Sequence, residues 1–282
     1  MGMQVNTNIS ALNSYRNLSN TQNDLAKSLE KLSSGLRINH AADDAAGLAI
    51  SQGLQSQVGG LTVASRNAQD GISVIQTAEG SLSEVQTILQ RVRDLAVQAG
   101  NDSNNATSRS AISTEVTALG AELTRIGTSA NFNGTKLLDA TAAATPLTFQ
   151  IGAGATSSDQ ISVSTTDVTA IGTIVSGLAT SGFASATAVT GTGGTIDTLD
   201  TQITAVSTAR ADLGAQQNRF ESVIRNLSVS TENLTAAKSR ITDTDMASEM
   251  VKYTRSNILA QAGTAMLAQA NQGNQGVLQL LR

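Results

Sequence analysis

The stretch LTVASRNAQDGISVIQTAEGSLSEVQTILQRVRDLAVQA, from Leu61 to Ala99, decides the fold. Positions 61, 64, 68, 71, 75, 78, 82, 85, 89, 92, 96 and 99 read Leu, Ala, Ala, Gly, Ile, Ala, Leu, Val, Leu, Val, Ala and Ala. None is charged, while Arg66, Asp70, Glu79, Glu84, Arg91, Arg93 and Asp94 fall off this line. Alternating steps of three and four place one uncharged stripe along a helix. A helix of this length runs on the order of 60 Å at about 1.5 Å per residue. Burying its larger stripe residues gives ~10–15 kcal/mol gross, against roughly 1–2 kcal/mol of backbone entropy per residue. The stripe therefore has to meet other helices.

Those helices are legible on both sides. Ile112, Val116, Leu119, Leu123, Ile126 and Ala130 repeat the spacing after a loop from Gly100 to Thr107. Further on, Ile196, Leu199, Ile203, Val206, Leu213, Phe220, Ile224, Leu227, Leu234 and Ile241 share one heptad frame, with Arg210, Gln217, Thr231 and Lys238 at its other positions. Upstream, Asn6-Thr7-Asn8 supplies capping side chains for a first helix. Its expected seam is Ala11, Leu18, Leu25 and Leu32, with Tyr15, Gln22, Leu29 and Leu36 as the second row. A last helix is expected after Thr242-Asp243-Thr244-Asp245, where Asp side chains suit a positive helix N-terminus.

Both ends of the chain are uncharged: Met1 to Tyr15, and Ser256 to Leu281 before the terminal Arg282. A membrane-surface helix wants Lys or Arg on its polar face, and the second stretch has none. Its Gln, Asn and Gly content opposes a membrane span. A helix buried among copies of itself fits, because amides hydrogen-bond between helices without burying charge. Assembly rather than chemistry is the expectation.

Thr141 to Gly194 is rich in Thr, Ala, Ser and Gly. Within it, Thr148-Phe149-Gln150-Ile151 and Gln160-Ile161-Ser162-Val163 alternate as strands do around the turn-rich GAGATSSD, which predicts a β-hairpin. The remainder to Gly194 reads as an outward-facing, tolerant loop with a short helix near Ile171 to Leu178.

Composition removes most catalytic chemistry. The 282 residues carry a formal net charge of −4, with no Cys, no Trp, one Pro (Pro146) and one His (His40). No thiolate nucleophile, disulfide framework or zinc-finger spacing is available. Aromatic residues make up 2% of the chain, too few for base-stacking platforms, and no basic run marks a nucleic-acid footprint. No segment resembles a membrane span or a cleaved secretory leader. His40 with Asp43 and Asp44 reads as a solvated turn with capping carboxylates rather than a metal cluster. Gly191-Thr-Gly193-Gly194 fits no phosphate-loop pattern. Asn133-Gly134-Thr135 and Asn233-Leu234-Thr235 are triplets expected by chance in so Asn- and Thr-rich a chain. Arg91 and Arg93, with Glu84 and Asp94, read as a solvated helix face. Neither a cofactor nor a catalytic residue is expected.

Several runs resemble the bacterial flagellin family. They include Gln4-Val-Asn-Thr-Asn8, Leu32-Ser-Ser-Gly-Leu-Arg-Ile-Asn39 and Ala41-Ala-Asp-Asp-Ala-Ala-Gly-Leu-Ala-Ile-Ser51. Gln90-Arg-Val-Arg-Asp-Leu-Ala-Val-Gln98, Asn131-Phe-Asn-Gly-Thr-Lys-Leu-Leu138 and Ala211-Asp-Leu-Gly-Ala-Gln-Gln-Asn-Arg-Phe220 follow. Leu267-Ala-Gln-Ala-Asn271 and Val277-Leu-Gln-Leu-Leu-Arg282 close the series. The resemblance implies a mainly α fold, a long antiparallel coiled-coil bundle with paired terminal helices and a small β-hairpin. Its implied domains are 1–42 and 243–282 as the two halves of an inner coiled coil, with 43–194 and 195–242 as parts of a surrounding tube. The outer variable domains of larger family members have no counterpart here.

The same resemblance implies a self-polymerising subunit of a swimming filament, exported without a cleaved signal. Implied partners are copies of itself, hook–filament junction and cap proteins, an export chaperone and a Toll-like innate immune receptor. Assembly in the filament core would fall to Leu18, Leu25, Leu32, Ile258, Leu267, Val277, Leu278 and Leu281. The receptor surface would comprise Leu89, Gln90, Arg91, Leu95, Gln98, Glu115 and Leu199, with Asp94 standing where Glu is common. Gly273-Asn-Gln-Gly276 departs from relatives that carry a proline near the C-terminus. A hook–filament junction protein is the alternative, since it shares similar termini. A chemoreceptor-type signalling coiled coil would bring a membrane segment that this chain lacks.

Overall fold

The computed structural model describes residues 8–191 and 193–280, the last eight of these by their backbone alone. Long helices dominate: α1 (Ile9–Ser34), α2 (Ala45–Ala99), α3 (Ala106–Ser129), α7 (Thr195–Thr242) and α8 (Met246–Leu280). Short elements lie between α3 and α7. They are β1 (Asn131–Phe132), β2 (Thr135–Lys136), α4 (Ala140–Ala144), β3 (Leu147–Gln150), β4 (Gln160–Val163), α5 (Val168–Ser181) and α6 (Ala186–Thr190). The contacts divide into two compact units. One comprises the chain up to Ser56 with the chain from Asn233 onward; the other is Gln57–Glu232.

Capping fixes where the helices begin. The Asn8 side chain accepts from Ala11 N at 2.9 Å, and Asn105 does the same for Ser108 N at 2.8 Å. Asp245 accepts from Ala247 N and Ser248 N at the start of α8. Each satisfies a donor that a helix N-terminus leaves free. The far end of α2 is closed from outside: Arg109 on α3 donates to Ala99 O at 3.1 Å and Asn101 O at 3.2 Å. Gly35 ends α1 at φ 72°, a left-handed conformation that glycine adopts without steric cost.

In the unit Gln57–Glu232, every residue of the 61–99 stripe except half-buried Leu61 is buried. Val74, Ile88 and Leu95 are buried too, which widens the seam into a face that meets more than one helix. Gly71 sits where the Phe149–Phe220 pair packs edge-on at 5.6 Å, and a Cβ there would come within 2.9 Å of Phe220. β3 and β4 pair antiparallel with Leu147 opposite Val163 and Gln150 opposite Gln160, as the alternation predicts. β1 and β2 form a second, tighter hairpin through Asn133 (φ 49°) and Gly134 (φ 83°). Asn-Gly is the two-residue turn that matches strand twist, so Asn133-Gly134 has a structural role as the turn of this hairpin.

The short helix expected near Ile171 to Leu178 lies within the longer α5, α6 follows it, and the stretch expected to face outward is instead packed. Val168, Ile171, Val175, Ala179, Phe183 and Val189 are buried in the main core. α5 packs against α3 through glycines: a Cβ at Gly120 would lie 2.4 Å from Ser176 Oγ, and one at Gly172 would lie 2.4 Å from Thr124 Oγ1. Close backbone approach lets a Thr- and Ser-rich helix bury its small apolar face, which composition alone does not disclose.

Candidate functional site

The α1–α8 pair is antiparallel and fastened at three levels. Asn8 Nδ2 donates to Ala270 O at 3.0 Å, Leu18 lies against Gly263, and Ser28 Oγ donates to Glu249 Oε1 at 2.7 Å. On α1 the covered positions are Ala11, Ser14, Leu18, Thr21, Leu25, Ser28 and Leu32. On α8 they are Glu249, Tyr253, Ser256, Ala260, Gly263, Leu267 and Ala270. Both rows keep the four-three spacing of a coiled coil. Small residues hold more than half of these positions (Ala11, Ser14, Thr21, Ser28, Ser256, Ala260, Gly263 and Ala270), so the helices approach closely.

Glu249 is buried within this seam. Burial pushes its carboxyl up, but the Ser28 hydroxyl, the Lys252 ammonium and the more distant Lys31 outweigh it and hold the group below its ordinary value. Nothing in the sequence pattern marks Glu249; its spacing from Tyr253 and Ser256 was the available signal.

The second row expected on α1 points elsewhere. Tyr15, Gln22, Leu29 and Leu36 are exposed, and Ser14, Thr21 and Ser28 take their place in the seam. The outward set is strongly apolar. Ile9, Leu12, Tyr15 and Leu29 on α1, with Met246, Met250, Val251, Ile258, Leu259 and Met266 on α8, are each 49–64% exposed. Ala247, Met250, Val251, Thr254, Arg255, Ile258 and Leu259 line a shallow groove of about 620 Å³. Contiguous apolar surface of this kind marks interaction sites rather than ordinary solvent-facing helix.

The expected assembly residues thus separate by role. Leu18, Leu25, Leu32 and Leu267 lie along the seam within one chain, whereas Ile258 faces outward. Val277 and Leu278 belong to α8, but their side chains lie outside the described residues, as does Leu281.

The two linkers of this unit lie side by side. Leu36 and Asp243 form an antiparallel bridge, Arg37 N donates to Thr242 O, and Thr244 N donates to Gly35 O at 3.0 Å. The Asp43 carboxylate accepts from Asn39 N and His40 N, and the His40 and Asn39 amides hold it below the usual carboxylate range. His40 Nε2 lies 2.8 Å from Glu30 Oε1. The turn reading of His40, Asp43 and Asp44 agrees with this arrangement.

On the other unit, Leu89, Leu95 and Leu199 are buried core residues. They cannot reach a partner while the helices stay packed. Gln90, Arg91, Gln98 and Glu115 are exposed, and Arg91 pairs with Glu115 through Nε and a terminal nitrogen at 3.0 and 2.7 Å. Arg93 pairs with Asp200 on α7; the hydrogen bond from Arg93 holds Asp200 below its ordinary value. Both arginines bridge helices, in contrast to the solvated single-helix face expected of them. Arg210, at a polar position of the α7 frame, likewise reaches Glu79 and Gln86 on α2.

Among the described residues, no group of three His, Cys, Asp or Glu side chains could hold a metal ion. No described helix is long and apolar enough to cross a membrane. Residues 5–143 match the bacterial flagellin N-terminal helical region, and residues 196–281 match the bacterial flagellin C-terminal helical region. The chain belongs to the bacterial flagellin family. Flagellin of Bacillus subtilis (strain 168) is 50% identical over 306 aligned residues, covering 99% of this chain and all of the relative. Flagellin of Halalkalibacterium halodurans is 49% identical, with the same coverage of both chains. The flagellar filament 33 kDa core protein of Treponema phagedenis is 45% identical, again over 99% of this chain and all of the relative. Full coverage of relatives of similar length agrees with a short flagellin that lacks an outer variable domain. The segment between the two flagellin matches holds β3, β4, α5 and α6.

Proposed function

We propose that the chain is a structural subunit that polymerises into the bacterial flagellar filament, outside the cell. The apolar outward face of the α1–α8 pair carries this reading, since ten large apolar side chains on it are 49–64% exposed and surface of this kind marks an interaction site. The family membership supports it, and the chemistry of the chain offers no competing catalytic role. In this reading 1–42 and 243–282 line the filament core, while 43–194 and 195–242 build the tube around it. Seam residues hold each subunit together; Ile258 and its outward neighbours join one subunit to the next.

Hook–filament junction and cap proteins, an export chaperone and a Toll-like innate immune receptor are further partners in this proposal. Receptor contact falls to Gln90, Arg91, Gln98 and Glu115, with Leu89, Leu95 and Leu199 supporting them from within the core.

Seeded growth followed by electron microscopy tests the central claim. Purified chain added to short filament seeds should extend them, and Ile258→Asp should abolish extension while helicity is retained. Wild-type chain that binds seeds but adds only a short ring would replace this reading with that of a junction protein.

A further inference from the structure

The chain has no cysteine and five methionines, so its only sulfur is thioether. Met1 and Met3 lie outside the described residues; Met246, Met250 and Met266 all lie on α8. They are 49%, 54% and 64% exposed, whereas a methionine used for packing is ordinarily covered. Met250 lines the apolar groove with Val251, Ile258 and Leu259. Met266 lies one turn pair further along the same outward surface, seven residues after Leu259.

We propose that these three thioethers are a peroxide-sensitive modification site that decides whether the free chain can assemble. The proposal rests on the filament reading above. A sulfur lone pair attacks one oxygen of hydrogen peroxide, the O–O bond breaks, and a sulfoxide S–O bond forms. The departing hydroxide takes a proton and leaves as water, so sulfur loses two electrons and peroxide gains them. The sulfoxide is polar and chiral, and it needs a hydrogen-bond donor when buried. Of the groove lining, Ala247, Val251, Ile258 and Leu259 provide none through their side chains and Thr254 donates its hydroxyl to Met250 O, which leaves Arg255 as the lining side chain with further donors. Oxidation therefore leaves α8 helical and paired with α1 through its opposite, small-residue face, while the outward face loses its complementarity to a second copy. Reduction of the sulfoxide restores it. With no thiol to react first, the chain itself offers no sacrificial sulfur of greater reactivity.

The test uses full-length chain, hydrogen peroxide and filament seeds. Peptide mass analysis should find roughly 16 Da added at each of Met246, Met250 and Met266. Seed extension by oxidised wild type should fall roughly tenfold or more, and methionine sulfoxide reductase should restore it. The M246L/M250L/M266L variant conserves volume and helix propensity and should extend seeds equally with and without peroxide. Oxidised wild type extending at the untreated rate would overturn the proposal. So would an equal loss in the leucine variant, which would place the lesion elsewhere. Untreated wild type failing to extend seeds would overturn the filament reading itself and this inference with it.

Discussion

Ser28 Oγ donates a 2.7 Å hydrogen bond to Oε1 of Glu249, a residue 221 positions away in sequence. Both side chains are buried between α1 and α8, in a seam whose other covered positions named above carry no charge. A carboxylate there is tolerable only while its partners stay in place.

Removing the donor should therefore be costly. Ser28→Ala leaves one carboxylate oxygen short of a partner, for which about 1–3 kcal/mol is the ordinary penalty. Hydrogen exchange along α1 and α8 should accelerate, with exchange in α3 and α5 unchanged. Equal acceleration in both units would contradict the assignment.

The same pair predicts an acid response. Glu249 is held below the ordinary value of 4.5 in the folded chain, so its stabilisation is complete above that value and disappears as pH falls through the lower folded value. Exchange protection of α1 should fall on acidification. Glu249→Gln should flatten the component of that profile due to this group, and an unchanged profile would exclude Glu249 as its source.

Glycine substitutions should split by surroundings. In an open helix position Gly→Ala gains roughly 0.5–1 kcal/mol. Gly80 has nothing within 4 Å of an added Cβ, whereas at Gly172 that atom would sit 2.4 Å from Thr124 Oγ1 and 2.7 Å from Thr124 N. Gly80→Ala should raise the thermal midpoint. Gly172→Ala should lower it, because backbone overlap in a packed core costs about 1–3 kcal/mol and outweighs the propensity gain.

Two arginines offer a comparison of exposure. The Arg109 side chain is 15% exposed and binds two carbonyls at the end of α2, while the Arg91 and Glu115 side chains are 57% and 43% exposed. Arg91→Ala should cost no more than about 1 kcal/mol and less in high salt. Arg109→Ala leaves orphan carbonyls at a helix end and should cost more. Chemical denaturation at two salt concentrations distinguishes them.

Much of the fold was legible because the 61–99 stripe meets its own chain, where apolar periodicity and burial coincide. The same reasoning misplaced Tyr15, Leu29 and Leu36. Those residues are apolar yet exposed in the single chain, while Ser14, Thr21 and Ser28 fill its inner seam. Binary patterning assumes one hydrophobic environment per helix, and α1 has two faces with different demands. The helix expected near Ile171 to Leu178 is α5, but its burial was not legible: glycine-mediated approach packs a Thr- and Ser-bearing helix of a stretch read as outward-facing into the core. The uncharged termini did point to assembly, but only the three-dimensional arrangement separates Leu18 and Leu267, which lie along the internal seam, from Ile258. Leu89, Leu95 and Leu199 show the converse: the family resemblance implied them as contact residues, whereas spacing set Leu89 and Leu199 on core rows, and all three are buried.

The side-by-side linkers also set a timetable. Arg37 contacts Ile241 and Thr242, and the fastenings of α1 at Asn8–Ala270 and Ser28–Glu249 join residues 262 and 221 positions apart in sequence. At about 5–20 residues per second, the 221 positions separating Ser28 from Glu249 take roughly 10–45 s to synthesise. Throughout that interval an amphipathic segment waits on the ribosome without the helix that covers it. Completion of this unit thus waits on the synthesis of α8 by connectivity alone, whatever the intrinsic speed at which its helices form.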